Sequence, residues 1–277
     1  MSGFGSFSKP GRWLLWSLMA LLCASFFTGC ANGPDSGLTS VGHADLVTDS
    51  DETSARKRAR IRVELALGYL EQGKTNIALD EVKLALAADP DFADAYSLRG
   101  LIYMRLNELP LAQESFLKAL VVRPRDPNIL HNLGWLKCQQ TRYPEAMADF
   151  ALALANPGYG ERAKTYMAQG LCQIRAGQRR EAEQSLLKAY EFNAMNPVTG
   201  YNLANLLFQN ADFARAQFYI RRLNNSEWAN AESLWLGIKV ENKMADRVAL
   251  LQLATQLEKR FPQSKEASAY RRGAFDE

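Results

Sequence analysis

The chain has 277 residues, 47% of them hydrophobic and 23% charged, a composition that excludes a collagen-like, a purely coiled-coil and a wholly disordered protein. The net charge of +3 is unevenly placed: residues 1–29 carry Lys9 and Arg12 and no acid, residues 31–54 carry five acids and no base, and residues 55–277 hold a net +6. That excess is too dilute over a long body to imply nucleic acid as a partner.

The first predicted element is a targeting segment. Lys9 and Arg12 precede an uncharged stretch, residues 13–29, that is rich in leucine and shorter than the roughly 20 residues of a membrane span. Residues 1–29 therefore read as a secretory signal. The segment ends Phe27-Thr28-Gly29-Cys30, which resembles the lipobox of bacterial lipoproteins. The resemblance implies cleavage before Cys30 and acylation of its thiol and new amine, and Ala31 matches the pattern of lipoproteins sent to the outer membrane. Three acyl chains hold a protein at a membrane far more firmly than one, since each buried methylene contributes roughly 0.8 kcal/mol. The alternative is an ordinary signal or an uncleaved anchor that ends in cysteine. Residues 30–55 lack the apolar material for a core and read as a flexible tether, with His43 solvent-exposed in it.

From Arg56 onward the apolar residues recur at helical spacing, and residues 66–90 align without gaps on residues 100–124. Tyr69 and Tyr103, Ala78 and Ala112, Ala85 and Ala119, and Pro90 and Pro124 each lie 34 residues apart. This is the tetratricopeptide period. Gly134, Ala146 and Phe150 mark a third copy, Gly170, Ala182 and Leu186 a fourth, Ala204 and Ala216 a fifth, and Gly237 and Ala249 a sixth. The turn around residues 156–160 carries about two extra residues, and residues 265–272 form a capping helix. The expected fold is all-α: a tetratricopeptide-repeat solenoid over residues 56–277, six helical hairpins in a right-handed superhelix, because one hairpin cannot bury its apolar face and stacked hairpins share a core.

Resemblance to tetratricopeptide proteins implies that the first helix of each hairpin lines a concave groove. It directs Val63, Leu67 and Leu70, then Leu101, Met104 and Arg105, then His131, Asn132, Trp135 and Gln139, toward that groove. Met167, Leu171, Ile174 and Arg175 follow from the fourth repeat, and Tyr201, Asn202, Asn205 and Phe208 from the fifth. The lining is apolar for a surface facing water, which marks a protein-binding face; the competing reading is that part of it touches the neighbouring first helix. Asn132 and Asn202 occupy one repeat position, but Glu64, Leu98 and Ala168 stand there in the other repeats, so a full amide ladder for an extended peptide is absent. His131 has no nucleophile or carboxylate placed to orient it, and reads as a solvated groove histidine rather than a catalytic base. The run from Arg56 to Arg60 reads as the polar face of the first helix, or as a contact with anionic lipid.

The chemistry-bearing residues are few. His43, His131, Cys138 and Cys172 make no metal-ligand spacing, and there is no phosphate loop, nucleophile elbow or dinucleotide fingerprint. The expectation is a protein with no catalytic residues, metal, cofactor or small-molecule substrate. Cys23 leaves with the signal and Cys30 carries lipid, so Cys138 and Cys172, on first helices of adjacent repeats, are either bridged or two buried free thiols.

A lipobox, a short tether and six tetratricopeptide repeats together resemble the type IV pilus biogenesis lipoproteins, the pilotins of Gram-negative bacteria, over practically the whole chain. The resemblance implies an outer-membrane lipoprotein, anchored at Cys30 with its body facing the periplasm, that localises the pilus secretin and promotes its multimerisation. It places the partner contact in the groove of the early repeats, on Leu67, Leu70, Leu101, Met104 and Trp135. Other envelope lipoproteins share the layout, so an adaptor for peptidoglycan enzymes or for outer-membrane barrel assembly is the alternative.

Overall fold

The computed structural model describes residues 52–276, which form thirteen α-helices and, among the described residues, no strand. The signal segment, Cys30, His43 and nearly all of the tether lie outside the described residues. Six hairpins follow one another: α1 (Ser54–Glu71) with α2 (Thr75–Ala88), α3 (Ala93–Arg105) with α4 (Leu109–Val122), and α5 (Pro127–Gln139) with α6 (Tyr143–Leu154). The remaining three are α7 (Arg162–Arg175) with α8 (Arg179–Phe192), α9 (Pro197–Gln209) with α10 (Phe213–Asn224), and α11 (Ala231–Lys243) with α12 (Arg247–Arg260). The short α13 (Lys265–Arg271) packs on α11 and α12 and closes the stack.

The partners in each hairpin approach closely because a small residue on the first helix faces a large one on the second. A side chain at Gly100 would meet the Phe116 ring at 2.5 Å, one at Gly134 the Phe150 ring at 2.9 Å, and one at Gly170 the Leu186 side chain at 2.7 Å. Ala112, Ala146, Ala182 and Ala216 are fully buried beside them. Each second helix then packs on the next first helix, so the core runs from hairpin to hairpin. First helices also touch one another across repeats, α1 with α3, α3 with α5, α5 with α7 and α9 with α11, whereas successive second helices show no comparable contact. The first helices are thus crowded onto the inner side of the solenoid, and a wedge of this kind curves the stack.

All six hairpins turn in the same way. The residue two past the end of the first helix has positive φ, and its amide and the next bond back to the last helical turn: Gly73 to the Leu70 carbonyl and Lys74 to Tyr69, Asn107 to Met104 and Glu108 to Tyr103, Thr141 to Cys138 and Arg142 to Lys137. Gly177, Ala211 and Ala245 repeat the arrangement. This is the Schellman cap, which satisfies two orphan carbonyls and reverses the chain. Only two of the six positions hold glycine, so repeat packing imposes the left-handed conformation on asparagine, threonine and alanine. Pro90, Pro124 and Pro157 stand just past α2, α4 and α6, where a ring and a missing amide forbid further helix. The longer link between α6 and α7 has a structural use: it carries Tyr159 into the core, beside Leu130 and Ala153.

The basic run of α1 is drawn into ion pairs. Arg56 meets Asp89, Arg60 meets Glu52 and Glu64, and Arg62 meets Glu81, so this stretch is knitted to its own hairpin and to the start of the next.

Candidate functional site

The inner face is built from one repeated register. Leu67, Leu101, Trp135, Leu171 and Asn205 occupy equivalent positions on α1, α3, α5, α7 and α9. Leu67 is 46% exposed on the first hairpin, while Leu101, Trp135 and Leu171 are half-buried. Met104 and Leu101 rest on the core between the second and third hairpins. Tyr201 and Phe208 rest on the core of the fifth.

Two residues expected in the open groove are not there. Leu70 is buried between the first two hairpins, with Val82 and Ile102. His131 is 6% exposed and forms a buried relay: its Nδ1 lies 2.8 Å from Thr165 Oγ1, which lies 2.8 Å from the Tyr159 hydroxyl. Burial, with Lys164 nearby, pushes the imidazole down to about 4, so it is neutral at physiological pH and joins α5 to α7 rather than facing solvent. The physical reason is the wider spacing at the long turn, which Tyr159, Thr165 and His131 fill together. Glycine and tyrosine in a turn are weak sequence signals, and nothing short of tertiary packing shows the relay.

The asparagines are also committed. Asn132 donates to Ser97 Oγ at 3.4 Å, and Asn202 donates to the Val198 carbonyl one turn back on its own helix. The aromatic rings are overlaid by cations: the Arg175 guanidinium lies 5.0 Å from the Trp135 ring, and the Lys239 ammonium 5.6 Å from both the Phe208 and Trp235 rings. The inner face is therefore a cation-layered aromatic surface rather than the bare apolar one its sequence indicates, with contacts of this kind worth about 0.5–2 kcal/mol each. Arg105 spends its guanidinium on the Leu70 carbonyl at 2.9 Å, stitching the first two hairpins.

Cys138 and Cys172 are bonded, with α-carbons 5.8 Å apart, and both are buried in a cluster with Phe150 and Ala168. The bridge fastens α5 to α7 near their C-terminal ends. Exposed apolar side chains also occur on the back of the solenoid, where Leu117, Val121 (81% exposed) and Leu152 project from α4 and α6; the groove-based reading missed these. Among the described residues there is no group of three or more metal-ligating side chains, and no helix is long and apolar enough to cross a membrane.

Comparison with known proteins follows the same lines. The tetratricopeptide repeat model matches residues 63–128 and 99–161. The type IV pilus assembly protein PilF of Pseudomonas aeruginosa is 29% identical over 248 residues, 90% of this chain and 94% of that protein. The structure of Pseudomonas aeruginosa PilF superposes with a TM-score of 0.71 at 27% identity, covering 80% of this chain and all of that one. PilW, described as a widely conserved type IV pilus biogenesis factor, superposes with a TM-score of 0.69 at 29% identity, over 76% of this chain and 97% of its own.

Proposed function

We propose that this chain, which folds as a tetratricopeptide-repeat solenoid and is similar over nine-tenths of its length to a pilus assembly protein, is a non-enzymatic assembly factor of type IV pilus biogenesis. In this reading it is an outer-membrane lipoprotein, held by acylated Cys30 with its body in the periplasm, that localises the pilus secretin and promotes its multimerisation. The observation that carries the reading is the extent of the likeness: this chain spans the whole of the solved PilF and nearly all of PilW, so the shared feature is the complete stack rather than an isolated repeat. Protein contact is the activity a solenoid offers, since its rigid face presents side chains in register over several hairpins.

The partner surface in this reading is the inner face of the first three hairpins. Leu67, Leu101 and Met104 supply apolar area there, and Trp135, braced by Arg175, supplies a rigid aromatic anchor of the type that dominates interfaces. An amphipathic helix or apolar segment of the secretin suits this face better than a fully extended peptide, because Asn132 and Asn202 are already bonded within the protein.

The test is secretin multimer formation and secretin binding in cells carrying Cys30→Ala, Trp135→Ala, Met104→Glu or the back-face variant Val121→Glu, with circular dichroism on each purified body. Cys30→Ala is expected to release the protein from the outer-membrane fraction. Trp135→Ala is expected to weaken binding by about 2 kcal/mol, some thirty-fold. Binding lost in folded Val121→Glu and kept in both inner-face variants would move the site to the back; unchanged secretin multimers in a strain lacking the protein would end the reading.

A further inference from the structure

Each hairpin is antiparallel and each second helix packs on the next first helix, so the starts of the first helices and the ends of the second helices share one edge of the stack. The links between hairpins run along that edge. Among the described residues, the links from α2 to α3, from α4 to α5 and from α6 to α7 carry no exposed large hydrophobic side chain. The two links that follow differ. Phe192 at the end of α8, Met195 in the link to α9 and Trp228 in the link from α10 to α11 are 57%, 63% and 54% exposed, and Val198 in the first turn of α9 is nearly as open. The hollow behind Met195, between Tyr190 and Tyr219, has a volume of only about 30 Å³, so these side chains form ridges rather than a pocket.

Beneath the ridges lies an aromatic layer that carries cations. Tyr166 stacks on Phe192 with ring centroids 5.8 Å apart, and Tyr190 meets Tyr219 edge-on at 5.0 Å. The Lys188 ammonium lies 5.4 Å from the Tyr166 ring, and the Arg222 guanidinium lies 5.9 Å from the Tyr190 ring and 3.9 Å from the Met195 sulfur. Exposed rings and a methionine, bordered by basic side chains with apolar stems, have the composition that enters the interfacial layer of a bilayer. There the rings bury apolar area while ammonium and guanidinium groups meet phosphates. Glu191 and Glu227 stand at the same edge, so the attraction is apolar first and electrostatic second.

The path of the chain selects a lipid surface as the occupant. α1 begins at Ser54 on this same edge, and residues 31–53 join it to Cys30, a length that spans at most about 80 Å. A body tethered to a membrane through Cys30 therefore receives its tether on the edge that holds the exposed rings. We infer that this edge of the fourth to sixth hairpins rests on the bilayer, with Phe192, Met195, Val198 and Trp228 in the interfacial layer and Lys188 and Arg222 at the lipid phosphates. The inference rests on the lipoprotein reading above and adds an orientation to it, in which the hairpin turns point away from the lipid.

The test uses the intact lipoprotein in vesicles of phosphatidylethanolamine with a minority of phosphatidylglycerol, their acyl chains brominated either near the glycerol or near the bilayer centre. Bromine quenches tryptophan at contact range, and Trp228 is the most exposed indole of the described residues. Its emission is expected to fall by about half, and more with shallow bromines than with deep ones, since interfacial side chains sit about 5–10 Å into the headgroup boundary. Trp228→Phe should remove most of the quenching, and Phe192→Glu and Met195→Glu should each reduce it about two-fold. Leu106→Glu, at a hairpin turn on the opposite edge, should leave it unchanged. Should a glutamate variant fail to fold by circular dichroism, the comparison of wild type with Trp228→Phe still decides. Quenching no greater in wild type than in Trp228→Phe, or unchanged in folded Phe192→Glu and Met195→Glu, would overturn the inference. Absent quenching in a protein that sediments as a dimer, and that Met195→Glu makes a monomer, would assign the edge to a second copy and overturn it equally. Intact mass separates the two claims: an unmodified Cys30 overturns the lipoprotein reading and this inference together, whereas acylated protein without Trp228-dependent quenching overturns this inference alone.

Discussion

Removing the Cys138–Cys172 bridge is the most direct probe of how this solenoid is held together. The bond joins residues 34 apart, and the chain-entropy model gives such a loop about 3.8 kcal/mol of stabilisation through the unfolded state. Replacing both cysteines with alanine deletes two sulfurs from a packed cluster containing Ala146, Phe150 and Ala168, and the small void adds about 1 kcal/mol. Reduced wild-type protein keeps the sulfurs and loses only the bond, so it separates the two costs. With a urea slope of about 2.5 kcal/mol/M, the midpoint should fall by about 1.5 M on reduction and by slightly more in the double alanine variant. The assay is equilibrium urea unfolding followed by circular dichroism, after mass analysis of the oxidised sample. Because each hairpin touches only its neighbours, loss of the clamp between the third and fourth should also broaden the transition as the two halves uncouple. Both sulfurs are buried, so reductant should act on native protein only as fast as α5 and α7 part locally. A midpoint that moves by less than about 0.3 M on complete reduction would refute the loop-entropy argument here.

Two other outcomes follow from the structure. His131 is held to about 4 when folded against about 6.5 when unfolded, so between those values the unfolded chain takes up a proton that the folded one refuses. Stability should fall by about 3 kcal/mol as pH drops from 6.5 to 4, with no effect of this group above 6.5; His131→Gln should lose that slope, and equal slopes in urea titrations at pH 7.5, 6 and 4.5 would remove the assignment. Thr141 and Ala245 hold φ of 61° and 58° at the hairpin turns, a conformation that costs a side-chain-bearing residue about 1–2 kcal/mol and glycine almost nothing. After the entropy glycine loses on folding, Thr141→Gly and Ala245→Gly should each raise stability by about 0.5–1 kcal/mol, and a fall in melting temperature for both would show that their side chains contribute packing the turn geometry does not reveal.

The hairpins, their number and their order were legible in the amino-acid sequence because they rest on local physics repeated six times. Alanine and glycine at fixed spacing permit close helix packing, an aromatic or leucine fills the space beyond, and proline ends the second helix. The closeness of Cys138 and Cys172 was also within reach of the period, since they fall on neighbouring first helices at repeat positions about two apart. Periodicity identifies a face about a third of a helix wide, however, and cannot divide it. Leu70 and Met104 share a register, yet the first is buried between the first and second hairpins and the second is only half-buried between the second and third. His131 reads as a groove residue until the long turn brings Tyr159 and Thr165 against it. The cations over Trp135 and Phe208 come from neighbouring hairpins, and α13 folds back on α11. Such features depend on the angle and distance between helices, which are set by the volumes of many side chains packed at once, and that sum is decided in three dimensions.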